Sequence, residues 1–513
     1  MPDKVIVTNE GALRAKYGED FDVHVILAPL RQADATRGVQ TTVVRIDDAG
    51  DIGAFNSPPV TDPSDQQQVK GAIDAVFAAD PPDYLMLLGA GDVVPHQDLD
   101  NPLYHPDDPQ SDPDQVVPSD LPYACESPYS RAIPDFAAPT RVVGRLPDVT
   151  GATEPGALQT IIATAVAWQS RGRSDYEPYF GLTAEVWNTS TELSLRNTFG
   201  SSTELHPSPD DGPAWDDALL GRRSHFINCH GAQVDPHFYG QRGPDYPIAH
   251  ESDLVQGHIS EGTVATAECC YGAELYDPGL GDGTPGLCLA YLLSGAYGFF
   301  GSTTVAYGPA DSNDSADLIC QYFLQRILAG ASLGRAALEA QQDYVRAAPL
   351  FGPQDQKTLA QFVLLGDPSV HPVAPARPGH SVAAFRSDGK ASPSAALGTG
   401  RTDRRRALAA KGLALRESTS VALADDTPPP AHIAKTLTEV AGTLDIDIRA
   451  IHTFAVREAP ALAKTRFPVT DGQRIVVASG SERHSDAPVT EYHLLIAVTD
   501  RDEVSFVKQL RSK

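Results

Sequence analysis

Two short segments of the chain close on residues that can do covalent chemistry together. His225-Phe226-Ile227-Asn228-Cys229-His230-Gly231 is an apolar run ending in His-Gly. Thr263-Val264-Ala265-Thr266-Ala267-Glu268-Cys269-Cys270-Tyr271-Gly272 is a second run, ending in Cys-x-Gly 40 residues later. Runs of this kind read as strands, and parallel strands of one sheet point their C-terminal ends to the same edge. Neighbouring strands would therefore bring His230 and Cys270 side by side. A thiolate there attacks a carbonyl carbon, while the imidazole takes the thiol proton and returns it to the leaving group. The resulting oxyanion needs N–H donors, and the main chain at Gly231 and Cys270 is placed to give them. Glycine after the histidine lets the backbone approach a substrate with no side chain in the way. Cys270 is preferred over Cys269 because it carries the x-Gly spacing.

Other residue groups invite chemistry less well. Zinc held by Cys229, His230, Cys269 and Cys270 would need adjacent residues to converge tetrahedrally, and no CxxC spacing accompanies them. Gly330-Ala331-Ser332-Leu333-Gly334 fits GxSxG, but it joins two helices instead of leaving a strand, so Ser332 reads as a helix N-cap. Between Gly71 and Ser130 there are twelve Asp and Glu and no Lys or Arg. Asp107, Asp108, Asp112 and Asp114 crowd a Pro-rich loop there. The plain reading is a solvated acidic loop. Calcium is the hard cation that such carboxylates would take as a structural ion, although no EF-hand spacing is present. No cofactor is required by the thiol chemistry.

The chain that must position these groups has 513 residues, enough for two or three domains, and 41% hydrophobic content suits globular packing. Its formal net charge of −27 argues against nucleic acid and anionic membranes as partners. Met1 to Asp20 lack the apolar run of a leader, and Leu287 to Phe300 are too short and too glycine-broken to span a bilayer. Six cysteines are too few for a disulfide framework, so the expected setting is the cytoplasm with free thiols.

Strand and helix alternate through the first 375 residues. Lys4–Thr8, Val23–Leu27 and Tyr84–Leu88 are apolar runs that fit buried parallel strands, with a helix over Gln68–Ala79. Further strands are expected at Gly181–Val186, His225–Asn228, Gly262–Ala267, Ala296–Gly301 and Phe362–Leu365. Helices are expected at Thr153–Gln169, Pro285–Leu293, Ala316–Leu328 and Leu333–Ala347. The fold class is α/β, a mostly parallel sheet flanked by helices. Residues 376–416 carry nine Lys and Arg against two Asp among Ala, Gly and Ser, and they read as a linker. Thr427-Pro428-Pro429-Pro430 marks its far boundary. Beyond it lies a small α+β domain with a helix at Ala431–Leu444 and strands at Arg474–Ala478 and Tyr492–Val498. The divisions are 1–147, 148–375, 376–430 and 431–513.

With these elements in place, the chain resembles the caspase, legumain and gingipain clan, and the gingipain branch most. The resemblance rests on His-Gly and Glu-x-Cys-x-Gly at successive strand ends, and on Tyr84–Gly89 followed by Gly91-Asp92-Val93-Val94-Pro95. Ser119-Asp120-Leu121-Pro122-Tyr123 with Gly144-Arg145-Leu146-Pro147, Gly301-Ser302-Thr303 and Leu365-Gly366-Asp367-Pro368 complete it, in the family's order. It implies two side-by-side α/β subdomains and a cysteine endopeptidase acting through a thioester on protein or peptide substrates. Cys270 is then the nucleophile and His230 its partner, with Glu185 as the acid near the histidine. Glu192, or Asp311, Asp314 or Asp317 beyond Tyr307, would be the acid that selects Arg or Lys, with Tyr307 as the pocket's aromatic wall. The alternatives are a non-catalytic scaffold or sensor with a regulatory partner on the C-terminal domain, and a transpeptidase or ligase using the same dyad. Arg401 and Arg404-Arg405-Arg406 in the linker would be self-processing sites for a basic-specific enzyme.

Overall fold

A computed structural model describes residues 2–348, 351–375, 401–457, 473–483, 487–500 and 503–513. Ten strands form one continuous sheet. Their order is Thr41–Arg45, Lys4–Thr8, Tyr84–Leu88, Val143–Leu146, Phe362–Gly366, Gly298–Ser302, Val264–Ala267, Ser224–Asn228, Tyr179–Ala184 and Leu205–Ser208. All neighbours are parallel except Phe362–Gly366 against Gly298–Ser302. The sheet passes without a break from residues 1–147 into residues 148–375 where Val143–Leu146 meets Phe362–Gly366.

Alternate residues of each strand bury on opposite faces, as the period of a pleated strand requires. Phe299 and Ala265 join one apolar core with helices Gly156–Ala167 and Leu287–Leu293. Phe300 and Val264 join another with Ser315–Leu328 and Leu333–Ala347. Burial on both faces explains why these strands read as continuous apolar runs. Ser332 accepts from Arg335 N at 3.3 Å, the N-cap expected of it.

Val23–Leu27 is not a strand. It is the first part of the helix Val23–Thr36, whose Asp22 side chain accepts from His24 N and Val25 N. Val23, Leu27 and Leu30 then fall on one buried face at helical spacing, a pattern that a five-residue window cannot separate from a strand.

The stretch expected to link the domains holds regular structure from residue 401 on, while 376–400 lie outside the described residues. Arg401–Ser418 is a helix whose Gly412 and Leu415 are buried against the body of the ten-stranded sheet. Its Ala-, Leu- and Arg-rich composition favours helix over coil. Val421–Asp425 is a strand. The proposed processing arginines therefore sit in a helix, which would have to unwind to extend into a protease cleft.

A second sheet has the order Tyr307–Gly308, Glu503–Ser512, Glu491–Asp500, Arg474–Glu482, Ile448–Arg457 and Val421–Asp425, antiparallel throughout. Helix Ala431–Thr443 buries Ile433 and Leu437 against one face, beside Val476, Ala478 and Leu495. The other face, with Ile475, Val477, Leu494 and Ile496, packs on Cys270, Val305 and Tyr307. Its outer strand, Tyr307–Gly308, follows directly from the ten-stranded sheet's Gly298–Ser302. The C-terminal sheet thus lies over the edge where the sequence puts the chemistry.

Candidate active site

The strands carrying the two reactive residues are direct neighbours. Ser224–Asn228 pairs in parallel with Val264–Ala267, Ile227 opposite Ala267, so His230 and Cys270 each emerge three residues past the same rung. Their main chains touch: a β-carbon at Gly231 would overlap the Cys270 carbonyl oxygen. Glycine is required there by contact. Tyr271, directly after the cysteine, has φ +54°, a conformation costly for a bulky residue. Its hydroxyl donates to Asp114 Oδ1 at 2.8 Å, and Asp114 Oδ2 accepts from Val305 N at 2.8 Å. The acidic loop therefore braces the turn that presents Cys270.

Cys270 is 4% exposed and His230 2%. The Cys270 thiol accepts from Ala306 N at 3.3 Å and lies 3.6 Å from Ala306 O. Burial pushes this thiol up to about 12. Burial likewise lowers His230 to about 4, against the opposing pull of Glu491 and Gln241. Thiol and imidazole both rest neutral, each engaged elsewhere. His230 Nε2 lies 2.8 Å from Gln241 Oε1, and Gln241 Nε2 donates to Glu491 Oε2 at 3.2 Å. The imidazole sits between Trp187 and Tyr246, at centroid distances of 4.4 and 5.1 Å.

The carboxylate near His230 is reached through Gln241, and it is Glu491 of the C-terminal sheet. Glu185 is elsewhere. It opens a 3-10 turn after Tyr179–Ala184, where the chain leaves the sheet, and its half-exposed side chain pairs with Arg242.

A buried acidic slot opens beside Cys270. Glu268 and Asp317 are fully buried, and the Lys513 ammonium bridges them, 2.6 Å from Glu268 Oε2 and 2.8 Å from Asp317 Oδ1. Asn228 Nδ2 also points at Asp317 Oδ1, at 3.4 Å. Trp187 lies beside the ammonium, 5.4 Å from ring centroid to Nζ. A β-carbon at Gly308 would overlap Lys513 Cε, so glycine keeps the slot open. Burial, then Asp317, raises Glu268 well above the ordinary carboxylate range. Although burial opposes it, Asp317 and Glu268 raise the Lys513 ammonium above its usual value.

The other acids considered for this role lie outside the slot. Glu192 is on the outer side of helix Asn188–Phe199, 2.6 Å from Arg196, which an i,i+4 spacing on a solvated helix favours. Asp314 caps Ser315–Leu328 and pairs with Lys508. Asp311 is exposed. Tyr307 is fully buried beside Cys270 and pairs with Ser512 through its main chain. The aromatic ring beside the lysine ammonium is that of Trp187.

Asp112 and Asp114 surround the Lys357 ammonium, with Asp114 Oδ2 at 3.0 Å. Among the described residues, no group of three or more His, Cys, Asp or Glu is placed to hold a metal ion. Nor is any described helix long and apolar enough to cross a membrane.

Residues 247–373 match the family model of Peptidase family C25. This is the gingipain family, and over this stretch the chain is similar to gingipain-like cysteine peptidases. The match covers the strand Val264–Ala267, Cys270, the Tyr307–Gly308 strand, Asp317 and the Leu365-Gly366-Asp367-Pro368 turn; His230 lies just upstream. No curated protein matches the chain. Glu268 is a site residue that motif spacing alone does not single out, although a carboxylate ending the run Thr263–Ala267 is a visible signal. Lys513, Gln241 and Glu491 carry no such local signal and reach the site only through long-range folding.

Proposed function

We propose that the protein is a cysteine endopeptidase that cleaves after basic residues, lysine foremost. The observation that carries this reading is the buried Glu268–Asp317 pair one slot away from Cys270. Two buried carboxylates without a cation are strongly unfavourable, whereas a bound ammonium satisfies both. A neutral P1 side chain would leave them unpaired. The slot narrows at Gly308 and has Trp187 as a wall, which suits an unbranched alkyl chain tipped by an ammonium.

In the reaction, Cys270 Sγ gives its proton to His230 and bonds to the carbonyl carbon after the basic residue. The oxyanion is held by Cys270 N–H and the Gly231 main chain. The C–N bond breaks as His230 protonates the leaving amine, giving a thioester. Water, deprotonated by the same imidazole, then hydrolyses the thioester and frees Cys270. Gln241, backed by Glu491, fixes the ring orientation.

Digestion of a peptide library tests the reading. Cleavage after Lys and Arg by the wild type, absent in Cys270→Ala, is the expected result. A profile dominated by Asp or large apolar residues at P1 would overturn it.

A further inference from the structure

The C-terminal strand Glu503–Ser512 and Lys513 occupy the cleft in the manner of a bound peptide. The strand lies antiparallel on Tyr307–Gly308, with Ser512 opposite Tyr307 and Arg511 opposite Gly308. Lys513 N donates to Ala306 O at 2.9 Å. The main-chain oxygen of Lys513 accepts from Cys270 N at 2.7 Å, the donor assigned above to the oxyanion. Its side chain threads past Gly308 and ends between Glu268 and Asp317. Strand pairing, carbonyl contact and side-chain slot all agree on one polarity, with lysine at the position of the residue after which cleavage occurs. Extended peptides that add to a sheet edge and sink one side chain into a pocket are recognised in this way.

The rest of the C-terminal sheet holds the strand in place. Glu503–Ser512 pairs along its length with Glu491–Asp500, Tyr492 N donates to Ser512 Oγ at 2.8 Å, and Leu510 is fully buried in the core shared with Cys270. From this we infer that Glu503–Lys513 is a tethered, substrate-like inhibitor: the enzyme is closed by its own lysine until the strand is displaced. The inference rests on the lysine-specific reading of the slot. A tethered occupant competes at an effective concentration in the millimolar range, far above that of most free substrates. The same closure accounts for the dyad's resting state, with the thiol and imidazole desolvated and held by Ala306 and Gln241.

Labelling of Cys270 by a lysyl chloromethyl ketone tests this in the full chain. Lys513→Ala removes only the side chain in the slot and leaves the strand's pairing intact. The variant should be labelled faster than wild type by roughly tenfold or more. Adding a synthetic peptide of residues 503–513 should slow labelling of the variant, and the same peptide ending in Ala should not. Equal labelling rates in wild type and variant, with no effect of the peptide, would overturn the inference and leave the peptidase reading intact. Failure of the probe to label Cys270 in either protein would sink the peptidase reading, and the tethered inhibitor with it.

Discussion

Two buried charge clusters sit at the ends of parallel strands in this sheet, and they are built to opposite ends. In the N-terminal half, Arg145 grips Asp120 twice, at 2.5 and 2.9 Å, and donates to Gly89 O and Val94 O at 2.9 and 2.6 Å. His96 adds a contact of 3.0 Å to the same carboxylate. Against burial, Arg145 and His96 hold Asp120 well below the ordinary carboxylate range. Every charge has its partner within one contiguous region. In the catalytic half, Glu268 and Asp317 face one another, and their counter-ion comes from Lys513 on another sheet. Glu268 Oε1 and Asp317 Oδ2 are buried with no donor among the described residues. A saturated cluster is scaffold, whereas a cluster that borrows its cation is a place where another cation can sit.

The largest expected effects fall on the reacting groups. Cys270→Ala should abolish turnover and probe labelling. His230→Ala should lower kcat/KM by about four orders of magnitude, the scale on which such dyad members act. Cys269 is fully buried, with its sulfur accepting from Cys229 N at 3.4 Å, so Cys269→Ala should keep a substantial fraction of activity. An active Cys270→Ala beside a dead Cys269→Ala would move the nucleophile by one residue.

The two clusters separate next. Asp317→Asn or Glu268→Gln should reduce kcat/KM for lysyl substrates by about 100- to 1,000-fold and flatten the P1 profile, because one carboxylate of the pair is lost. Asp120→Asn should instead destabilise the fold by about 3–5 kcal/mol while P1 preference stays unchanged in whatever folds, because it leaves Arg145 unpaired. A P1 shift in Asp120→Asn, or an intact lysine preference in Asp317→Asn, would erase the distinction. Gly308→Ala comes next, since its β-carbon intrudes on the lysine stem. It should cost about tenfold or more in kcat/KM for Lys substrates, and less for substrates with a small P1 side chain.

The contrast also tells which parts of the molecule were legible in the sequence. Parallel strands buried on both faces announce themselves as apolar runs, so Tyr84–Leu88, Ser224–Asn228 and Val264–Ala267 could be placed, and His230 and Cys270 with them. Asp120 and Arg145 fall in Ser119–Tyr123 and Gly144–Pro147, where resemblance flagged them, but only the fold reveals them as each other's counter-ions. The acidic slot was harder. Asp317 lies in the first turn of a helix, 47 residues past Cys270, and Glu268 lies before the cysteine pair. The family resemblance pointed to Glu185 and Glu192, which the chain's exit from the sheet carries out to solvent, onto Arg242 and Arg196. Nothing local connects Lys513 to Cys270. That contact depends on the docking of a whole sheet, which periodicity cannot register.

The smallest expected effect lies where the acidic loop meets the C-terminal sheet. The His105 and His452 rings stack there, with centroids 3.3 Å apart and planes at 9°. Asp108 faces both, 3.4 Å from His452 Nε2, and Ser111 Oγ accepts from His105 N at 3.1 Å. Burial, then the His452 ring, lowers His105 to about 4, against the pull of Asp108. An undocked His105 titrates near its ordinary value of about 6.5, so between that pH and about 4 the undocked chain binds more protons. Docking is then strongest above about pH 6.5, weakens as pH falls toward 4, and loses nothing further below that. The full shift would correspond to about 3 kcal/mol, and partial exposure of the ring reduces it to about 1–2 kcal/mol. His105→Phe keeps a flat ring against His452 and removes the titration. Melting midpoints of the two proteins should agree in shape above pH 7, and the wild type should fall away from the variant between pH 6.5 and 4.5. Because every other titrating group is common to both chains, parallel curves across that range would mean that the stacked pair carries no pH dependence. Divergence accompanied by faster Cys270 labelling of the wild type at low pH would make the same junction the point from which acid loosens the C-terminal strand.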